Sequence, residues 1–65
     1  MMTVNYTTKN NRFETERYII GIQTTQGKYI VSVLDKITNA LVIKTYKQRR
    51  AVSAFTEKYG VKINF

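Results

Sequence analysis

The chain of 65 residues contains no cysteine, histidine, proline or tryptophan, and only four acidic residues. Without cysteine there is no disulfide, and without cysteine or histidine there is no zinc site of the usual kind. The same gaps remove the commonest general base and the strongest nucleophile. The three glycines are scattered, so no glycine-rich loop is available to cradle a phosphate. Among the acids, Glu14 and Glu16 open a strand-like stretch, Asp35 suits a turn and Glu57 suits a helix surface. A carboxylate pair for glycoside chemistry would need a cleft that so short a chain does not build. An enzyme is not expected, and nothing in the sequence points to a cofactor or a metal.

No apolar run approaches the ~20 residues of a membrane span. The opening Met1-Met2-Thr3-Val4-Asn5-Tyr6 has no basic start followed by an apolar core, so it does not read as a signal peptide. The expected setting is the cytoplasm, with no membrane partner. A chain of this length buries only about 60% of its unfolded surface and is marginal without a staple. With disulfide and zinc excluded, self-association is the staple that remains.

What is present is positive charge. Eleven Lys and Arg against four acids give a formal charge of +7, and such a field attracts polyanions. The 43% apolar content is enough for a folded core.

Tyr18 to Thr25 and Lys28 to Asp35 are rich in β-branched and aromatic residues and read as strands. Gln26-Gly27 between them fits a two-residue hairpin turn, with Gln a weaker first residue than Asn or Asp. That loop sets Thr25 opposite Lys28, Ile22 opposite Val31 and Ile20 opposite Val33. One face then carries Tyr18, Ile20, Ile22, Tyr29, Val31 and Val33, a coherent core face. Asp35-Lys36-Ile37-Thr38-Asn39 reads as a second turn, with Asp accepting backbone hydrogen bonds and Asn39 suited to the left-handed region. The third strand, Ala40 to Tyr46, adds Val42 and Tyr46 to the core face.

The opposite face collects Ile19, Ile30, Leu34, Leu41 and Ile43. It is too apolar to be left to water. The candidates to cover it are the N-terminal segment, a second copy, or a protein partner.

Ala51, Val52, Phe55 and Tyr59 share one face of a helix, with Arg49, Ser53, Thr56 and Glu57 away from that stripe. Gly60 fits the position after its end. Val61-Lys62-Ile63-Asn64-Phe65 alternates as a short strand or tail. The expected fold is α+β in one domain: a three-stranded antiparallel sheet over residues 17–46 and a helix over 47–59 packed on one face. Residues 1–12 are expected to be a flexible arm or an edge strand. As an arm, Lys9 and Arg12 could follow a phosphate backbone, or the segment could fold back as a lid.

Lys44, Lys47, Arg49 and Arg50 lie within seven residues of one another with no acid between them. Lys28 and Lys36 sit at the two hairpin turns. These six are the candidate nucleic-acid contacts, because neutralised phosphates release counterions and Arg can read guanine. Arg49 and Arg50 also fall in the first helical turn, where the helix dipole disfavours cations unless an anion is near.

The segment from Tyr29 to Phe55 resembles the N-terminal, arm-type DNA-binding domains of phage and transposon integrases. Those domains are three antiparallel strands followed by one helix, a plan shared with the plant ethylene-response-factor type of domain. The similarity lies in Gly27-Lys28-Tyr29-Ile30-Val31, in the turn Asp35 to Asn39, in Lys44-Thr45-Tyr46, and in Lys47-Gln48-Arg49-Arg50-Ala51 with Ala54-Phe55 after it. It implies a small duplex-DNA-binding accessory protein of a phage or mobile element. That family reads DNA with the face of its sheet, which is apolar here. The alternative is a small protein-binding regulator or inhibitor that docks on a host protein, or a homodimer, through the second sheet face.

Overall fold

The computed structural model describes residues 1–7 and 11–65. Its main sheet grows from the Gln26-Gly27 turn. Both residues have positive φ, 49° and 73°, the combination that a two-residue hairpin needs to match the right-handed strand twist. The strands on either side, β3 (Tyr18–Thr25) and β4 (Lys28–Asp35), pair with Ile22 opposite Val31 and Ile20 opposite Val33. Asp35 organises the second turn. Its Oδ1 accepts from Ile37 N and Thr38 N, its carbonyl accepts from Asn39 N at 2.7 Å, and Asn39 takes a φ of 62°. The turn returns β5 (Leu41–Tyr46) alongside β4, with Val33 opposite Val42 and Tyr29 opposite Tyr46. The expected registers are the observed ones.

The sheet has four strands, not three. The fourth, β2 (Asn11–Glu14), pairs antiparallel with β3 and sets Phe13 opposite Ile20. It carries one inward apolar residue, too few to announce a strand by alternation. Asn11 is buried but bonded, since its amide oxygen accepts from Thr7 N at 3.0 Å and its amide nitrogen donates to Thr7 O.

The first residues are not a loose arm. β1 (Met2–Asn5) lies parallel to β6 (Val61–Asn64) as a two-stranded ribbon, extended at its ends by Met2 N to Gly60 O and Tyr6 N to Asn64 O. Lys9, which as part of an arm could follow a phosphate backbone, lies outside the described residues.

The ribbon and the helix α1 (Arg49–Glu57) together cover one face of the main sheet. The core joins Ile20, Ile22, Val31 and Val33 from the sheet to Val52 and Phe55 from the helix and to Val61 and Ile63 from the ribbon. Tyr18, Tyr29, Tyr46 and Tyr59 pack against this core, as their core-face positions require. Thr56 corrects the helix reading. It is fully buried, and its hydroxyl donates to Ser53 O at 3.2 Å. The buried arc of α1 is wider than the apolar stripe because β6 presses on its flank. The turn that follows the helix closes at Gly60, whose φ of 82° an L side chain resists.

Candidate nucleic-acid interface

Chain direction decides where each charge falls. The helix begins beside Tyr29, where Arg49 Nε donates to the Tyr29 hydroxyl at 3.0 Å. It ends beside Tyr18, whose ring meets Tyr59 edge-on at 4.9 Å. One end of the molecule therefore holds the Gln26-Gly27 hairpin, the end of β5 and the start of α1. The other holds the turn between β2 and β3, the Asp35 turn and the end of α1.

All four acids belong to the second end. Glu14 closes β2, Glu16 follows in the turn, Asp35 closes β4 and Glu57 closes α1. Two of them are already paired. Arg17 reaches Asp35 at 3.0 Å, and Lys36 reaches Glu14 at 2.8 Å. The hydrogen bond from Arg17 holds the Asp35 carboxyl below the usual carboxylate range, aided by the backbone N–H groups of Ile37 and Thr38. The hydrogen bond from Lys36, and then its charge, does the same for Glu14.

Lys28, Lys47, Arg49 and Arg50 gather at the hairpin end. All four are exposed, and none makes an ion pair among the described residues. Lys28 and Lys47 each lie one residue beyond the Tyr29–Tyr46 pair, where the β4–β5 ladder ends. Lys44 lies opposite Val31 on the helix side of the edge strand β5. Arg49 is anchored: besides its bond to Tyr29, its guanidinium lies 5.5 Å from the centre of the Phe65 ring. The Tyr29 hydroxyl holds its protonated form still more firmly than usual. Tyr6 completes the base of this cluster, 4.9 Å from Phe65 and hydrogen-bonded to Thr24 through its hydroxyl.

Lys36 stands apart from the other five candidates. The length of β4 puts it about 25 Å from Lys28, at the acidic end. Arg12 lies on β2 opposite Gly21, so it belongs to the second sheet face.

The helix start is short of negative charge. No acidic residue lies in the first turn, and Gln48 makes no side-chain cap. Its carbonyl accepts from Ala51 N and Val52 N, which leaves the N–H groups of Arg49 and Arg50 turned outward.

The second sheet face is open. Ile19, Ile30 and Leu34 are half-buried, while Leu41 and Ile43 are 59% and 58% exposed. The N-terminal strand does not cover it, because β1 packs on the core side. A shallow depression of about 380 Å³ opens at its centre, where Gly21 and Ser32 sit between Gln23, Ile30 and Ile43. A Cβ on Gly21 would come within 2.9 Å of Ser32 Oγ, so the depression depends on that glycine. The sequence pattern located this face by register alone. The helix of the described residues is neither long nor apolar enough to cross a membrane. Comparison with protein-family models, with curated proteins and with solved structures finds no match in any of the three.

Proposed function

We propose that the chain is a nucleic-acid-binding module that takes the phosphates of duplex DNA at its hairpin end. Lys28, Lys47, Arg49 and Arg50 make the contacts, with Lys44 beside them. The observation that carries this reading is the segregation of charge, with every acid at one end and four exposed cations at the other.

The hairpin end is short of an anion in three ways. Lys28 and Lys47 bring like charges to the end of the β4–β5 ladder. Arg49 and Arg50 occupy the positive end of the helix dipole. The first helical N–H groups have no side-chain acceptor. A phosphate relieves all three at once. Binding then gains from the release of condensed counterions, and Arg50, which no neighbour holds, is the side chain free to reach a base edge. Lys36 does not join this set, because Glu14 already neutralises it at the far end.

Fluorescence anisotropy with random-sequence duplex across a salt series tests the reading. Four to five phosphate contacts give a slope of log affinity against log salt of about −4, or roughly a 150- to 500-fold loss between 50 and 200 mM. Lys47→Glu with Arg50→Glu should flatten that slope by about 2. Lys58→Glu with Lys62→Glu makes the same change in net charge away from the site and should leave the slope unchanged. Absence of binding at low salt, affinity indifferent to salt, or an equal loss in the control pair would each overturn the proposal. The open apolar face favours a second reading, a regulator that docks on another protein.

A further inference from the structure

We infer that the open sheet face is the interface of a homodimer, with the two copies antiparallel about a two-fold axis lying in the face. This inference does not rest on the nucleic-acid reading.

The register arranges the open face in rows across the strands. One row is Glu14, Ile19, Leu34 and Leu41, and the next is Arg12, Gly21, Ser32 and Ile43. The first row is bulky and ends in an acid. The second is small at its centre and ends in a cation. An isologous interface must be complementary to itself. A two-fold axis perpendicular to the strands, passing between these rows, lays each row on the other row of the partner. Ile19 and Leu34 then enter the depression at Gly21 and Ser32 of the second copy, and Leu41 meets Ile43. Glu14, which also holds Lys36 of its own chain, meets Arg12 of the second copy, and symmetry makes that contact twice. Aligned sheets pack with their strands about 30° apart, which the central rows tolerate.

Charge fixes the orientation. With strands antiparallel, the four cations of each hairpin end project at opposite ends of the dimer. A parallel arrangement would bring both sets of cations together at one end. Area sets the strength. Strands of four, eight, eight and six residues, about 4.8 Å apart, offer about 400 Å² before side-chain relief. Specific interfaces begin near ~600 Å² per partner, so the dimer is expected to be weaker than that class.

Sedimentation or light scattering across about 10 μM to 1 mM measures the assembly. The mass should rise from 7.6 kDa towards twice that value. Leu41→Lys should abolish the rise, and circular dichroism should report an unchanged fold, because Leu41 is exposed. Arg12→Glu should weaken the dimer by about tenfold or more, because it sets a carboxylate against Glu14 of the second copy. A chain that stays monomeric throughout overturns the inference. So does a dimer indifferent to Leu41→Lys or to Arg12→Glu.

Discussion

Gln26 is the most informative single position for testing the backbone argument. It holds a φ of 49° at the first central position of the hairpin, followed by Gly27 at 73°. Left-handed backbone costs an ordinary L residue roughly 1–2 kcal/mol, and Asn tolerates it far better through local hydrogen bonding. Gln26 is exposed, so replacing it removes no packing. Gln26→Asn should therefore stabilise the fold by about 0.5–1 kcal/mol. In a domain of this size that raises Tm by roughly 2–8 °C. Asn39, at a φ of 62°, supplies the reciprocal experiment: Asn39→Gln should cost a similar amount. The two turns lie at opposite ends of β4, so the double variant should melt close to the parent chain. Thermal melts by circular dichroism, backed by urea titration, measure all three. A Tm that Gln26→Asn leaves unchanged or lowers would refute the claim that this turn stores backbone strain.

Two further outcomes follow from burial and from the ion pairs. Val52 is fully buried where helix, sheet and ribbon meet, so Val52→Ala should cost about 2–3 kcal/mol in urea unfolding. Asp35 and Glu14 have folded pKa values below their ordinary ones, so their contribution is present at neutral pH and is lost as pH falls below about 4 through those lowered values. Asp35→Asn should be less stable at neutral pH and should lose less on acidification, as read by urea midpoints across an acid series.

The hairpin registers were legible because two short turns fix loop length, and a period of two then assigns every side chain to a face. Gly27 and Asn39 marked those turns by residue type, and Ile20, Ile22, Val31 and Val33 did the rest. What was not legible depends on partners distant in sequence. Asn11 to Glu14 pair with β3 on the strength of one inward Phe13 and an Asn whose hydrogen bonds go to Thr7. Met2 to Asn5 are too short to signal a strand until β6 lies beside them. Thr56 reads as a surface residue because the ribbon that buries it cannot be seen from helical spacing. The candidate site behaves likewise. Clustering along the chain picked out Lys47, Arg49 and Arg50. Residue type alone could not reveal that Lys36 is neutralised by Glu14, 22 residues away, nor that all the acids fold to one end.

The parallel pairing of β1 with β6 also bears on how the chain reaches this state. Its partners are 59 residues apart, as the Asn5–Asn64 contact records, so the ribbon closes a loop containing nearly every other contact. The consecutive hairpins β2–β3, β3–β4 and β4–β5 can zip locally within microseconds, whereas a closure that long is entropically costly until the rest is in place. The ribbon is thus expected to form last. Weakening it should leave the folding rate nearly untouched and should instead speed escape from the native state. The lifetime of the folded molecule is set by two four-residue strands, and the buried Thr56 flank of α1 is the first core surface exposed when they part.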